Sequence, residues 1–234
     1  MQNQDSQKIL IGTGNVSKLA YLRQLFAGTG IECISPVDIG LGGFDAPEDR
    51  RTAEDNAIEK ALAWYAAARI PVLTLDAGLL FLDLPDDHPD QPGVHVRRAP
   101  GHTMDDEEML DYFAKLVHRN GGRLRAAWQD SYCMLKDPYN YRSFTFTRDM
   151  LVANSFLMVD TPCDTRIPGW PINSISIDPA TGKYQPEMTH ADRRTAQAHR
   201  AKLTADSQSP AQKLAVWIKK TSAELFGDQI KNDI

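Results

Sequence analysis

The sequence predicts an α/β protein with a mixed, partly antiparallel twisted sheet flanked by helices, and three observations carry that expectation. The apolar run Lys8–Ile11 passes through Gly12 and Gly14 into a helical pattern, a strand–turn–helix unit. A long helix pattern opening at Thr52 leads into a buried-strand pattern over residues 71–75. Two alternating runs, residues 125–135 and 143–153, flank the turn Asp137-Pro138-Tyr139-Asn140 and read as an antiparallel pair.

The elements follow in order. After the glycines, Leu19, Leu22, Leu25 and Phe26 fall on one helical face, and Gly28 and Gly30 stop it. Residues 31–35 read as a second strand. In the next helix Thr52 is the N-cap, Asp55 sits at the capping-box position, and Ala57, Ile58, Ala61, Leu62, Tyr65 and Ala68 form the buried stripe. The strand 71–75 ends at Asp76-Ala77-Gly78. Residues 83–102, rich in Pro, Asp and His, form a loop before a helix from Asp105 to about His118, whose acidic first turn suits the helix dipole. Residues 160–190 read as irregular with a short strand near 175–177. A helix over 191–203 precedes a last amphipathic helix opened by Ser209-Pro210, with Leu214, Trp217, Ile218 and Leu225 on its apolar face.

Composition bounds the function. With 234 residues, 42% hydrophobic and 24% charged, the chain has the profile of an ordinary globular protein. A chain of that length buries about 70–75% of its unfolded surface without staples, and one domain spanning 1–234 is expected. A net charge of −5 excludes a broad nucleic-acid footprint but leaves room for a small anionic ligand held by local cations. Cys33, Cys133 and Cys163 are far apart, so neither a zinc site nor a disulfide framework is expected. No run approaches the ~18 apolar residues of a membrane span, and the start lacks an apolar leader segment. The chain is expected to be cytoplasmic.

Two groups of residues carry candidate chemistry. In Gly12-Thr13-Gly14-Asn15-Val16-Ser17-Lys18, a strand leading through glycines into a helix start presents backbone N–H groups to an anion. It is not a Walker loop, and its other interpretation is a glycine turn with a solvated lysine. In the second group, Asn56 and Lys60 are four apart on one helix face, Glu48 precedes that helix, and Asp76 ends the next strand, where α/β sheets place ligands. Two carboxylates, a lysine and a carboxamide converging there could hold one Mg²⁺ against phosphate oxygens. The alternative is a pair of exposed helix residues beside a loop charge.

Four segments and their spacing extend this. The chain has TGNVSK at 13–18, PEDRRTAEDNAIEKA at 47–61, PVLTLDAGL at 71–79 and PGVHVRRAPG at 92–101. Further on stand GWPINSIS at 169–176, GKYQPEM at 182–188 and Ala198-His199-Arg200. In this order they resemble the Ham1/inosine triphosphatase family from Ile9 to Arg200. Its patterns are [ST]-x-N-x-x-K, P-E-T-G-x-T-F-x-E-N-A-x-x-K-A, P-V-x-A-D-D-S-G-L, P-G-x-x-S-A-R-Y-A-G, G-F-G-Y-D-P-I-F, G-K-T-x-A-E-M and S-H-R. The chain departs from them at several points. Leu75 replaces the first of two aspartates, Ala77 a serine, Arg50 a glycine, Ile172 and Asn173 an aromatic and an aspartate, and Ala198 a serine.

The resemblance implies a mixed α/β fold of two lobes with a central cleft, commonly a homodimer, that hydrolyses a nucleoside triphosphate to the monophosphate and pyrophosphate. It implies Thr13, Asn15, Lys18 and Lys60 on the phosphates, Glu48 and Asp76 on Mg²⁺, and Asp76 and Lys60 as catalytic groups. Trp170 would stack on the base, with Asn173 in the base segment and Lys183, His199 and Arg200 reading its polar edge or the phosphates. The expected substrates are deaminated purine nucleotides such as ITP, dITP and XTP, with no nucleic-acid polymer and no membrane as partner. The altered base segment leaves two alternatives: the same chemistry on another or modified nucleotide, or a nucleotide-binding protein with little turnover.

Overall fold

The computed structural model describes residues 7–205 and 208–230. Strand β1, Lys8–Ile11, is the centre from which the first part of the fold grows. It pairs in parallel with β2, Glu32–Ile34, on one side and with β3, Val72–Phe81, on the other. A strand with parallel neighbours on both edges is covered on both faces, which is why Ile9, Leu10 and Ile11 form an unbroken apolar run and are fully buried. Helix α1, Val16–Leu25, connects β1 to β2, with Leu22 and Phe26 buried beneath it.

Helix α2, Ala53–Ala68, starts as its sequence requires: the Thr52 side chain accepts the Asp55 N–H. Its buried face differs from the apolar stripe expected. Asn56, Lys60 and Trp64 are buried with Ala53, Ala57 and Ala61, whereas Leu62 is 37% exposed. The same rotation sets the packing of the helix. Trp64 meets Phe44 edge to face at 4.6 Å and joins Leu10, Ile34, Ala46 and Val72 in one core cluster. Ala57 and Ala61 pack with Cys133 and Leu135 in another.

Strand β4 is Arg123–Asp137, and β5, Asn140–Thr145, pairs with it antiparallel through the expected turn. Helix α3, Asp106–Arg119, is capped by the full Asp105/Glu108 capping box. Helix α4, Arg148–Leu151, precedes β6, Phe156–Val159, and β7, Ser176–Ile177. Helices α5, His190–Leu203, and α6, Pro210–Ile230, complete the chain. The strand order is β2-β1-β3-β4-β6-β7, with β5 also on β4. This is the mixed, partly antiparallel α/β sheet that the sequence predicts.

Three elements differ from their expected bounds. Strand β3 continues past Leu75 to Phe81, so Asp76 is mid-strand. Gly78 does not end the strand but allows close approach, since a Cβ there would lie 3.0 Å from the Gly93 carbonyl oxygen. The run 143–153 is a strand only to Thr145, and residues 148–154 are helical. There the Arg148 guanidinium donates to the carbonyls of Leu82 (2.7 Å) and Leu84 (2.6 Å) and pairs with Asp86, which fixes the chain in its turn. Strand β6 was not expected, its four apolar residues being too short a run to mark a strand without its neighbours β4 and β7.

The chain forms two compact units. The first comprises the residues up to Ala77, Asp130–Thr145 and α6; the second comprises Gly78–Gln129 and Phe146–Ser209. In the first, α6 buries Leu214, Ile218, Leu225 and Phe226, and Trp217 stacks on Phe144 at 5.5 Å. In the second, Phe81, Phe113, Leu116, Met158 and Ile175 belong to a separate core. The three cysteines are free. Among the described residues no helix is long and apolar enough to cross a membrane.

Gly12 leaves no room for a side chain: a Cβ would stand 2.7 Å from Trp64 Cδ1 and 3.0 Å from Thr74 Cγ2. Gly12→Ala is expected to destabilise the protein by about 1–3 kcal/mol, the scale of overpacking a dense core. A thermal melt checks it, with a drop in Tm expected; an unchanged Tm would show that the indole ring yields.

Candidate active site

The β1–β3 register runs to Ile11↔Leu73, and the Gly12 N–H still donates to the Leu73 carbonyl at 2.8 Å. Asp76 lies three residues beyond Leu73 on β3. Helix α2 covers this stretch with the polar part of its buried face. Asn56 is 2% exposed and Lys60 9%, so the alternative of two solvated helix residues is ruled out.

The Lys60 ammonium joins the carboxylates. Its Nζ stands 2.5 Å from Glu48 Oε1, 3.3 Å from Asp76 Oδ1 and 3.3 Å from the Leu75 carbonyl oxygen. Asn56 Nδ2 donates to the other Asp76 oxygen at 2.9 Å, and its Oδ1 accepts the Arg50 N–H at 2.8 Å. Asp76 is thus held on both oxygens from one helix, by residues one turn apart. Thr74 Oγ1 donates to the Ala57 carbonyl at 2.6 Å and ties the strand to the same helix. The Glu48 side chain is 48% exposed, against 10% for Asp76, so the pair has one solvent-facing and one enclosed member.

Glu48 and Asp76 supply the hard carboxylate oxygens that Mg²⁺ prefers, and the ammonium between them marks a place where positive charge is favourable. Among the described residues no cluster of three or more His, Cys, Asp or Glu could hold a metal. A two-carboxylate donor set still fits Mg²⁺, which keeps several waters and takes phosphate oxygens as further ligands.

The glycine turn is a built helix start. Thr13 Oγ1 accepts the Asn15 N–H at 3.1 Å, and Asn15 is the N-cap of α1, accepting the Lys18 N–H at 3.0 Å. Arg50, a departure from the family pattern, pairs bidentately with Glu59 at 2.8 and 2.9 Å. Its charge is committed there.

Asp130, on β4, carries no motif in the sequence and accepts the Tyr132 hydroxyl at 3.2 Å. Burial pushes its carboxyl up, the Asp76 charge pushes it further, and the Tyr132 hydroxyl and the Lys18 charge oppose both. The only sequence signal was a carboxylate two residues before a tyrosine inside a long alternating strand.

The base-segment residues lie in the second unit. Trp170 is 60% exposed and follows Gly169, whose N–H donates to Asp106 Oδ2 at 2.6 Å at the start of α3. Asn173 is half-buried in the short 3-10 helix Pro171–Ile175, while Ile172 is 4% exposed and part of the core. Lys183 pairs with Asp192 at 2.9 Å, holding that carboxyl down at about 2. Arg200 meets Asp178 at 3.3 Å, and Asp178 also accepts the N–H groups of Ala180 and Thr181. His199 is exposed.

Fold and geometry together define a mixed α/β protein with a lysine-bridged carboxylate pair beyond the carboxyl end of a central parallel strand. It belongs to the Ham1 family, whose model matches residues 9–150, more than half of the chain. Curated relatives include a dITP/XTP pyrophosphatase of Bradyrhizobium sp. (strain BTAi1 / ATCC BAA-1182), 32% identical over 116 residues, covering 50% of this chain and 51% of that protein. A dITP/XTP pyrophosphatase of Nitrosomonas europaea is 31% identical over 128 residues, 55% of this chain and 58% of that protein. The chain thus spans about half the length of the curated relatives it matches. In fold it is similar to the Staphylococcus aureus Ham1 protein, with TM-score 0.59, 21% identity and coverage of 86% of this chain and 100% of that one. A Ham1 protein from Coxiella burnetii gives TM-score 0.60 at 18% identity, covering 85% of this chain and 99% of that one.

Asn56→Ala would strip Asp76 Oδ2 and the Arg50 N–H of their shared partner. A stability loss of about 1–3 kcal/mol is expected, the cost of leaving buried polar groups unpaired. Urea unfolding measures it; a midpoint equal to that of the unaltered protein would mean that water replaces the carboxamide.

Proposed function

We propose that the chain hydrolyses a nucleoside triphosphate to the monophosphate and pyrophosphate, with deaminated purine nucleotides such as ITP, dITP and XTP as substrates. The observation that carries this is the Lys60 ammonium lying between Glu48 and Asp76, with Asn56 holding the far oxygen of Asp76. The dITP/XTP pyrophosphatase activity named for the relatives supports the same reaction.

Glu48 and Asp76 would hold Mg²⁺. Bound there, it supplies charge neutralisation to phosphate oxygens and a more acidic water. The protein's own residues do the positioning. Asn56 and Lys60 hold the two oxygens of Asp76, and the carboxylate so oriented would position the attacking water and take its proton. Lys60 offers its ammonium to the phosphates, aided by Lys18 and by the Thr13–Asn15 turn at the start of α1. Water adds across the α–β anhydride bond, and pyrophosphate leaves.

Trp170 is the stacking residue for the base, and Asn173, Lys183, His199 and Arg200 serve its polar edge or the phosphates. Lys183 and Arg200 are each tied to a carboxylate, which supports hydrogen bonding from fixed positions rather than free charge. Burial of Ile172 takes it away from any base and favours a second version of the reading, the same chemistry on a different or modified nucleotide. The assembly we propose is a homodimer acting on free nucleotide, with neither nucleic-acid polymer nor membrane as partner.

Pyrophosphate release from a panel of ordinary and deaminated nucleoside triphosphates with Mg²⁺ tests the proposal. One base class should turn over, and EDTA should stop it until Mg²⁺ is restored. Asp76→Asn should lower turnover by about 10²–10⁴-fold, the range for losing a positioned base. Absence of turnover on every nucleotide, with nucleotide binding retained, would leave a binding protein and end the enzyme reading.

A further inference from the structure

The stretch from Glu48 to Thr52 has no helix or strand of its own and is tied to α2 along its length. Glu48 Oε1 accepts from the Lys60 ammonium at 2.5 Å. The Arg50 N–H donates to Asn56 Oδ1 at 2.8 Å, and the Arg50 guanidinium donates to both oxygens of Glu59 at 2.9 and 2.8 Å. Thr52 then caps the helix by accepting the Asp55 N–H at 3.0 Å. Asn56 and Lys60 also hold Asp76, so the loop carrying one carboxylate and the strand carrying the other are set against the same two helix residues. The Arg50–Glu59 pair adds a second hold on the loop from outside that network. The family pattern has a glycine at the place of Arg50 and leaves the place of Glu59 open, so the pair is an addition made by this chain. The backbone at Arg50 is not left-handed, and a side chain is accommodated there without strain.

We propose that Arg50 is a positioning residue: with Glu59 it forms a clasp that holds the loop bearing Glu48 against α2 and so presents Glu48 to the metal ion.

The proposal rests on the reading of Glu48 and Asp76 as the Mg²⁺ carboxylates made above. Asp76 is fixed within a strand, and its side chain is 10% exposed; that of Glu48 is 48% exposed and is placed by its loop. A carboxylate on a loose loop loses conformational freedom when it takes a metal, and one on a held loop loses less. The Lys60 contact cannot do this alone, because an incoming cation competes with the ammonium for Glu48. Arg50 and Glu59 are not metal residues, so their pair persists when the metal enters. The planar guanidinium meets the carboxylate by two bonds at once, which fixes direction as well as distance. The side chains are 59% and 25% exposed, which sets a modest scale for the effect. Charge alone predicts the reverse sign. A guanidinium near the metal site repels a cation, and its removal would then tighten metal binding.

The test is a titration of the full chain with Mn²⁺, which takes the same oxygen ligands as Mg²⁺, with the EPR signal of the free ion as readout. Arg50→Met should weaken Mn²⁺ binding about threefold, within the range of an exposed ion pair. Glu59→Gln should do the same, and the double variant should match either single one, since each opens the same clasp. Arg50→Lys, which keeps the charge and loses the fork, should recover only part of the loss. Amide hydrogen exchange at Arg50 should quicken in the same variants, a readout independent of metal and turnover. Unchanged or tighter Mn²⁺ binding by Arg50→Met would overturn the proposal. So would losses that multiply to about tenfold in the double variant. Failure of the unaltered protein to bind Mn²⁺ would overturn the metal reading of Glu48 and Asp76, and the proposal with it.

Discussion

The ammonium of Lys60 held between Glu48 and Asp76 is the constraint from which the first unit takes its shape. Two carboxylates brought together in a half-buried place repel strongly without a cation, and an ammonium nine-tenths buried is costly without anions. Each therefore requires the other. The requirement turns the polar part of α2 inward and sets Asn56, one turn earlier, against the second oxygen of Asp76. Once the helix is rotated in this way, Trp64, one turn further on, is driven into the core beside Gly12. The glycine at the end of β1 is thus linked, through one helix, to the charge arrangement at the site.

The site was legible where chemistry and local spacing coincide. Asn56 and Lys60 four apart, Glu48 just before them and Asp76 on the next strand were all readable from the sequence. The burial of α2 was not, because an amphipathic pattern assigns polar residues to the outside, and here two of them are inside for a charge-balancing reason. Strand β3 was cut short in the same manner: Gly78 looks like a stop until Gly93 is seen against it. Asp130 was invisible since nothing local marks it. The one hydrogen bond that places it, from the Tyr132 hydroxyl, is likewise invisible to pattern reading.

In the second unit the pattern is one of cations already in place. Arg200 is anchored by Asp178, whose side chain is 3% exposed, and Lys183 by Asp192 within the α5 capping box. The chain before Trp170 is pinned by the Gly169 N–H on Asp106, itself paired with Arg97. Groups fixed by such partners lose little freedom when they meet a ligand, and preorganisation of this kind favours discrimination over adaptability. Ile172 shows the other side of that economy, a motif position given over to the core.

The first unit is assembled from three separated stretches of chain, the last of them α6. The β4–β5 hairpin receives its cover from that helix, through the stacking of Phe144 on Trp217 and the contact of Ser222 with Met134. During synthesis the second unit has all its residues by Ser209, whereas the first, although begun earlier, waits for Leu225 and Phe226. Order of translation and order of completion are therefore reversed. A chain whose last helix has not docked therefore leaves the hairpin's α6-facing side open while the later unit already has all its residues, which is a state for chaperones to shield.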